Sequence, residues 1–428
     1  MSAALSLYGL AWKAVLPLTR IYLQRRARKQ PEYLEHWDER FGRTPYPKGD
    51  SPRVWLHAVS LGETNAARAL VNLMLRRWPE CELLLTCMTP TGRDAGARIA
   101  KDWPGRVRQC YLPYDTPSLM GKFLDETQPR LGILMETEVW PSLLCEAKRR
   151  GIPMVLANAR ESQKSLDQAM RVKSLMSEAF GSFTAILAQS DSDAERIALI
   201  GGRNISVCGS VKFDIRPDEA QSERAKELKA VLNRPILLLA STRQGEEAMF
   251  APELKSLTKD VLTVLVPRHP QRFEEVAQVL EAAGIRFVRK SRMGDLSQIS
   301  ADTQVLLGDT MGEMSFYCAL ADLTVMGGSF GNFGSQNLIE PAAAGSPVIL
   351  GPSTFNFAKV AEDALASGAA RQVPDAASAM GLAAELFAGG VLPGMRADAL
   401  RFAGAYTGAA EKMFEKLDEL WKKQSPTC

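Results

Sequence analysis

Gly327-Gly328-Ser329-Phe330 follows directly on the apolar run Leu323-Thr324-Val325-Met326 and stands shortly before Asn337-Leu338-Ile339-Glu340. The run suits a buried parallel strand, and the paired glycines let backbone N–H groups approach an anion closely. The small residues from 338 to 345 suit a following helix, on whose N-terminus a phosphate can sit. Glu340, near the same turn, can accept from both hydroxyls of a ribose. The stretch reads as a nucleotide-sugar site. It lacks the G-x-G-x-x-G fingerprint with an acid about 20 residues later, which disfavours hydride transfer.

Other loops that follow apolar runs carry complementary chemistry. Ser241 and Thr242 begin one polar loop, and Arg268-His269 lies in the next, where a guanidinium fork and an imidazole donor suit phosphate. A third loop holds Gly312, Glu313 and Met314, whose backbone suits a base edge. In the first half, Val54-Trp55-Leu56-His57 runs into Ala58-Val59-Ser60-Leu61-Gly62-Glu63 and then a helix-forming stretch. Glu63 at a strand-to-helix turn is expected to be kept ionised by the helix dipole, as a general base requires. Ser60-x-x-Glu63 is equally a capping box, so both readings stand. Thr310-x-x-Glu313 and Asn337-x-x-Glu340 share the spacing. Glu136 and Glu138 in Met135-Glu136-Thr137-Glu138-Val139-Trp140-Pro141 supply further acids. Ser60, Gly62, Asn158 and Arg160 are placed for the acceptor side, as is Tyr111-Leu112-Pro113-Tyr114-Asp115. Lys212 can reach a donor's negative charge. Three histidines leave no room for a histidine-rich metal site, and no metal is expected.

These loops need strands to hold them. Short apolar runs alternate with amphipathic stretches, first over 54–57, 82–87, 107–111, 131–135, 153–157, 184–188 and 205–208. A second series covers 236–240, 261–266, 285–289, 304–307, 323–326 and 347–350. This is the pattern of βαβ units in two doubly wound α/β lobes. Ligands then bind beyond the carboxyl ends of the strands. The lobes are expected at 31–216 for the acceptor and 217–428 for the nucleotide sugar, with the helical segment 396–423 crossing back to the first. A chain of 428 residues is long enough for both. Its net charge of +3 is too small to argue for nucleic acid. The seven cysteines contain no C-x-x-C pair and read as reduced thiols.

Residues 1–30 differ. Leu5, Leu7, Leu10, Trp12, Val15 and Leu18 are followed by Arg25-Arg26-Ala27-Arg28-Lys29. Charges after the apolar stretch exclude a cleavable signal, and Lys13 and Pro17 interrupt a span. A hydrophobic helix lying in the membrane interface, its basic flank on anionic lipid, fits this order.

Together these residues resemble the 3-deoxy-D-manno-octulosonic acid (Kdo) transferases. The resemblance rests on HAVSLGE at 57–63, METEVWP at 135–141, NAR at 158–160 and GSVKFD at 209–214. PRHP at 267–270, MGEM at 311–314, GGSF at 327–330 and the 337–340 segment follow in the same order. Gly334-Ser335-Gln336-Asn337 stands where the family pattern is Gly-Gly-His-Asn. The resemblance implies a GT-B glycosyltransferase whose two Rossmann-like lobes face a cleft, working on the cytoplasmic side of the inner membrane. It implies CMP-Kdo as co-substrate donor, a lipid A precursor as acceptor, and transfer to a 6′-hydroxyl by inversion. It makes Glu63 the base, Glu136 or Glu138 a second functional acid, and Asn337 with Glu340 ribose contacts. Arg268, His269, Lys212 and Gly328-Ser329 would then meet the leaving phosphate, with no divalent metal. The rivals are a UDP-sugar transferase or epimerase, and a nucleotide-binding protein without turnover.

Overall fold

The computed structural model describes residues 2–49, 51–214, 217–255, 257 and 260–424. The expected lobe boundary falls between residues 216 and 217, and residue 216 lies outside the described residues, as does Cys428. The chain forms two compact units, residues 1–214 with 408–428, and residues 215–407.

In the first unit the strands are β1 (Arg53–His57), β2 (Glu82–Cys87), β3 (Val107–Tyr111), β4 (Leu131–Met135), β5 (Met154–Ala159), β6 (Ala185–Ala188) and β7 (Ile205–Val207). They form one parallel sheet in the order β3-β2-β1-β4-β5-β6-β7. β1, β2, β4 and β5 are buried along their whole length. Helices cover both faces, and this is why these strands read as unbroken apolar runs. The order reverses at β1, between β2 and β4, so the loops after β1 and β4 open beside a topological switch point.

The second unit repeats the plan with β8 (Ile236–Thr242), β9 (Leu262–Pro267), β10 (Phe287–Arg289), β11 (Val305–Leu307), β12 (Leu323–Met326), β13 (Val348–Leu350) and β14 (Ala370–Gln372). Their order is β10-β11-β9-β8-β12-β13-β14, again parallel, with the reversal at β8 between β9 and β12.

The last helix, Ala409–Lys423, packs on the first unit. Trp421 stacks on Trp78 with ring centroids 4.7 Å apart, and the Trp78 indole donates to Asp418 at 2.9 Å. Both passages of the chain out of and into this unit meet at Asp214, whose carboxylate accepts from the Gly408 and Ala410 amides at 2.9 and 2.6 Å.

The first helix, Ala3–Ala27, also belongs to this unit. Leu5, Gly9 and Leu23 are buried on it, and Trp12 lies 5.7 Å from the Tyr114 ring. Its other face leaves Leu7, Leu10, Leu18 and Ile21 exposed, between 48% and 68%. No single helix among the described residues is long and apolar enough to cross a membrane.

Candidate active site

The first unit gathers carboxylates at its switch point. Glu63 lies in the first turn of the helix Leu61–Arg77, entered directly from β1 through the N-cap residue Ser60. The capping box is incomplete: Ser60 makes no side-chain cap bond, while Glu63 Oε2 accepts from the Val59 amide at 2.5 Å. The expectation that the helix end keeps Glu63 ionised needs correction. Burial, then the neighbouring charges of Glu138 and Glu136, push its carboxyl up to about 7, because desolvation and like charge outweigh two backbone donors. Glu138 is raised too, by burial first, although the Trp140 indole donates to its Oε2 at 2.6 Å. Glu136 is the compensated member, ion-paired to Lys212 at 2.9 Å.

That pairing relocates Lys212. Expected on the donor's phosphate, it sits on Glu136 because the segment 209–214 folds into the first unit. Asn158 is likewise not open to an acceptor. It is fully buried, and its Oδ1 accepts from the Val211 amide at 3.1 Å, fixing the residue before Lys212. Arg160 is exposed, with its amide 3.3 Å from Glu136 O and no ion pair among the described residues. Gly62 is exposed at the start of the Glu63 helix, and Ser60 is half-buried. His57 closes the floor: fully buried, held neutral by burial with its value lowered to about 3, and edge-on to Trp140 at 5.4 Å.

In the second unit two adjoining concavities, about 180 and 250 Å³, share Ser241, Arg268, Met314 and Glu340. Asn337 and Gln336 line the first; Gly312 and Glu313 line the second. Seven of the expected donor residues thus converge at the ends of β8, β9, β11 and β12. Arg268 Nε donates to Gln336 Oε1 at 3.2 Å. Burial raises the Glu340 carboxyl, offset in part by Arg268. Glu313 is not a free acid: against the upward push of burial, Lys290 and the Thr310 hydroxyl hold it below its usual range. Asn337 caps no helix in the expected way, since its Oδ1 accepts from Ile339 N at 3.1 Å. His269 is exposed beside Arg268.

The glycine loop itself departs from expectation. Its amides are already occupied by an internal anion, the fully buried Glu246, whose Oε2 accepts from Gly328 N at 2.7 Å and Arg243 N at 2.8 Å. Oε1 accepts from Phe330 N at 3.0 Å and Gly331 N at 3.1 Å. Ser329 is fully buried between Met326 O and Gly351 N, so neither its hydroxyl nor the Gly328 amide is offered to a phosphate. Thr242 is buried too, donating to Glu247 at 2.6 Å. Gly327 is required by proximity, since a Cβ there would lie 2.5 Å from Ser241 O. Nothing local in the sequence pairs Glu246 with residues past 327.

Glu136, Asn158 and Ser241 hold φ of 58°, 54° and 56°. Left-handed backbone on non-glycine residues is costly, and it clusters at sites the surrounding fold over-determines.

A family model described as 3-deoxy-D-manno-octulosonic-acid transferase (kdotransferase) matches residues 35–215. The chain is 42% identical over 424 residues to the 3-deoxy-D-manno-octulosonic acid transferase of Bordetella pertussis, covering 96% of this chain and 98% of that relative. It is 33% identical over 356 residues to the Haemophilus influenzae protein of the same name, covering 80% and 81%. Among solved structures it is similar to UDP-GlcNAc 2-epimerase from Neisseria meningitidis bound to UDP-GlcNAc, with a TM-score of 0.54 and 13% identity. That match covers 86% of this chain and 100% of the other, a likeness of fold that bears out the GT-B class.

Proposed function

The chain belongs to the 3-deoxy-D-manno-octulosonic acid transferase family, a glycosyltransferase family, and from that premise we propose that it moves Kdo from CMP-Kdo to the 6′-hydroxyl of a lipid A precursor, lipid IVA, with inversion. The observation that carries the chemistry is Glu63: a half-buried carboxyl at a switch point, poised at about 7 by burial and two further acids. A base with a value near the working pH transfers protons efficiently.

In this reading the acceptor oxygen bonds to the anomeric carbon as Glu63 takes the hydroxyl proton, and the bond from that carbon to the CMP phosphate oxygen breaks. The leaving phosphate gains charge. Arg268, exposed at the mouth of the donor concavity and oriented by Gln336, meets that charge, with His269 beside it. Glu340 and Asn337 take the ribose, and the Gly312–Met314 turn takes the cytosine. Lys212 serves the acid cluster through its ion pair with Glu136 at 2.9 Å. With cationic side chains on the phosphate, no divalent metal is required.

The acceptor is a lipid, and the helix Ala3–Ala27 suits the task of meeting it. Its exposed leucines and the Arg25, Arg26, Arg28 and Lys29 flank favour an anionic interface on the cytoplasmic side of the inner membrane.

The deciding experiment incubates the purified protein with CMP-Kdo and tetraacylated lipid A precursor in EDTA and follows lipid mass. Wild type should add Kdo increments, and Glu63→Gln should lose about 10²-fold or more in kcat. Absence of product from folded wild type, with protection by UDP and not by CMP, would overturn the donor assignment.

A further inference from the structure

The helix Ala3–Ala27 touches more than a surface. Trp12 packs on Tyr114, and one turn earlier the Tyr8 hydroxyl donates to Oδ2 of the next residue, Asp115, at 2.9 Å. Asp115 is 1% exposed. Its two oxygens also accept the first free amides of the helix Pro141–Arg149, Ser142 N at 3.0 Å and Leu143 N at 2.8 Å, and its carbonyl accepts from the Ser142 hydroxyl at 3.0 Å. That helix has no cap of its own, because its N-cap residue is Trp140, whose side chain makes no cap bond. A carboxylate from another loop therefore stands in for the missing cap, and Tyr8 holds that carboxylate from outside.

The residue placed by this cap belongs to the acid cluster. The Trp140 indole donates to Glu138 at 2.6 Å, its ring meets His57 edge-on, and Glu138 is the first of the charges that act on Glu63. We propose that Tyr8 and Asp115 are positioning residues for the acids: through the N-terminus of the helix Pro141–Arg149 they tie the seating of the first helix to the placement of Trp140 and Glu138 beside Glu63. The helix with the exposed apolar face and the loop that carries the acids are then one mechanical unit. Asp115 is the joint between them. The kinetic half of this proposal rests on the transferase reading above; the mechanical half does not.

The test uses the full chain with Tyr8→Phe, which keeps the ring and leaves the Trp12, Leu5 and Leu23 contacts intact, and Asp115→Asn as a second variant. Two measurements are made: steady-state transfer from CMP-Kdo to the lipid acceptor, and hydrogen exchange over residues 136–145. Tyr8→Phe should lower kcat about fivefold with KM for CMP-Kdo within twofold of wild type, and should speed exchange of the Ser142 and Leu143 amides about tenfold, as loss of one charge-assisted hydrogen bond predicts. Asp115→Asn should move both readouts further in the same direction. Wild-type exchange in both variants overturns the proposal. So does a fall in kcat matched by a rise in donor KM, which is general damage. If wild type transfers nothing, the functional reading fails, and exchange alone decides the joint.

Discussion

Glu63 and Glu246 are both carboxylates beside backbone amides, yet their surroundings fit them for opposite tasks. Glu63 has two backbone donors and two acidic neighbours, so burial and like charge hold its proton near neutrality. Its native value of about 7 lies above the ordinary 4.5, so the native chain binds the proton more tightly than the unfolded one. The stability this brings is fully present below about pH 4.5 and is lost as pH rises through 7. Glu63→Gln should therefore match wild type in thermal melting near pH 4, below the ordinary value, and melt higher at pH 8, by on the order of 1–2 kcal/mol for a partly solvated group. The activity of wild type should fall as pH drops below 7; the same limb persisting in Glu63→Gln would remove Glu63 as its source. Glu246, with four amides and no exposure, reads as a structural anion. It secures Gly328, whose carbonyl accepts from Ser335 N at 2.8 Å, just before Gln336 and Asn337 in the concavity proposed for the donor. Glu246→Gln puts a donor against amide donors. It should raise KM for CMP-Kdo about tenfold and cost roughly 1–3 kcal/mol in urea unfolding; an unchanged KM would confine the residue to stability.

At the scale of elements, the helix Ala3–Ala27 has two unlike faces. Leu5, Gly9, Trp12 and Leu23 seat it on the first unit, and Leu7, Leu10, Leu18 and Ile21 are left exposed, the face that the proposed interfacial role would use. Serine at Leu7, Leu10 and Leu18 together should weaken binding to anionic vesicles by about tenfold or more without altering the melting temperature, since each loses apolar area only at the interface. Equal flotation of variant and wild type would argue against an interfacial helix. Strands show how element-level legibility depends on burial. β1, β2, β4 and β12 stand where apolar runs place them, because a strand covered on both faces admits little else. β14, Ala370-Arg371-Gln372, carries no such run: it is an edge strand with two exposed residues, and only its register with β13 reveals it.

For the whole molecule, the return of the chain to the first unit is an energetic commitment. Trp421 is 9% exposed, stacked on Trp78, and its carbonyl accepts from Arg130 at 2.7 Å. Trp421→Ala should lower unfolding stability by about 3 kcal/mol, the usual cost of deleting a buried aromatic ring; a loss under 1 kcal/mol would mean the last helix is dispensable. The sequence alone determined the parallel α/β plan, the loops at the strand ends and the candidacy of Glu63, because burial and backbone freedom are written in neighbouring residues. Apolar runs, glycines before a polar turn and an acid at a strand-to-helix junction are local signals. Only the tertiary structure decided which polar groups satisfy one another. Lys212 meets Glu136 across 76 residues, Glu246 meets Gly328 across 82, and Trp78 meets Asp418 across 340. A buried charge must find a partner wherever the fold brings one, and that choice depends on strand order and register, which no local stretch of sequence carries.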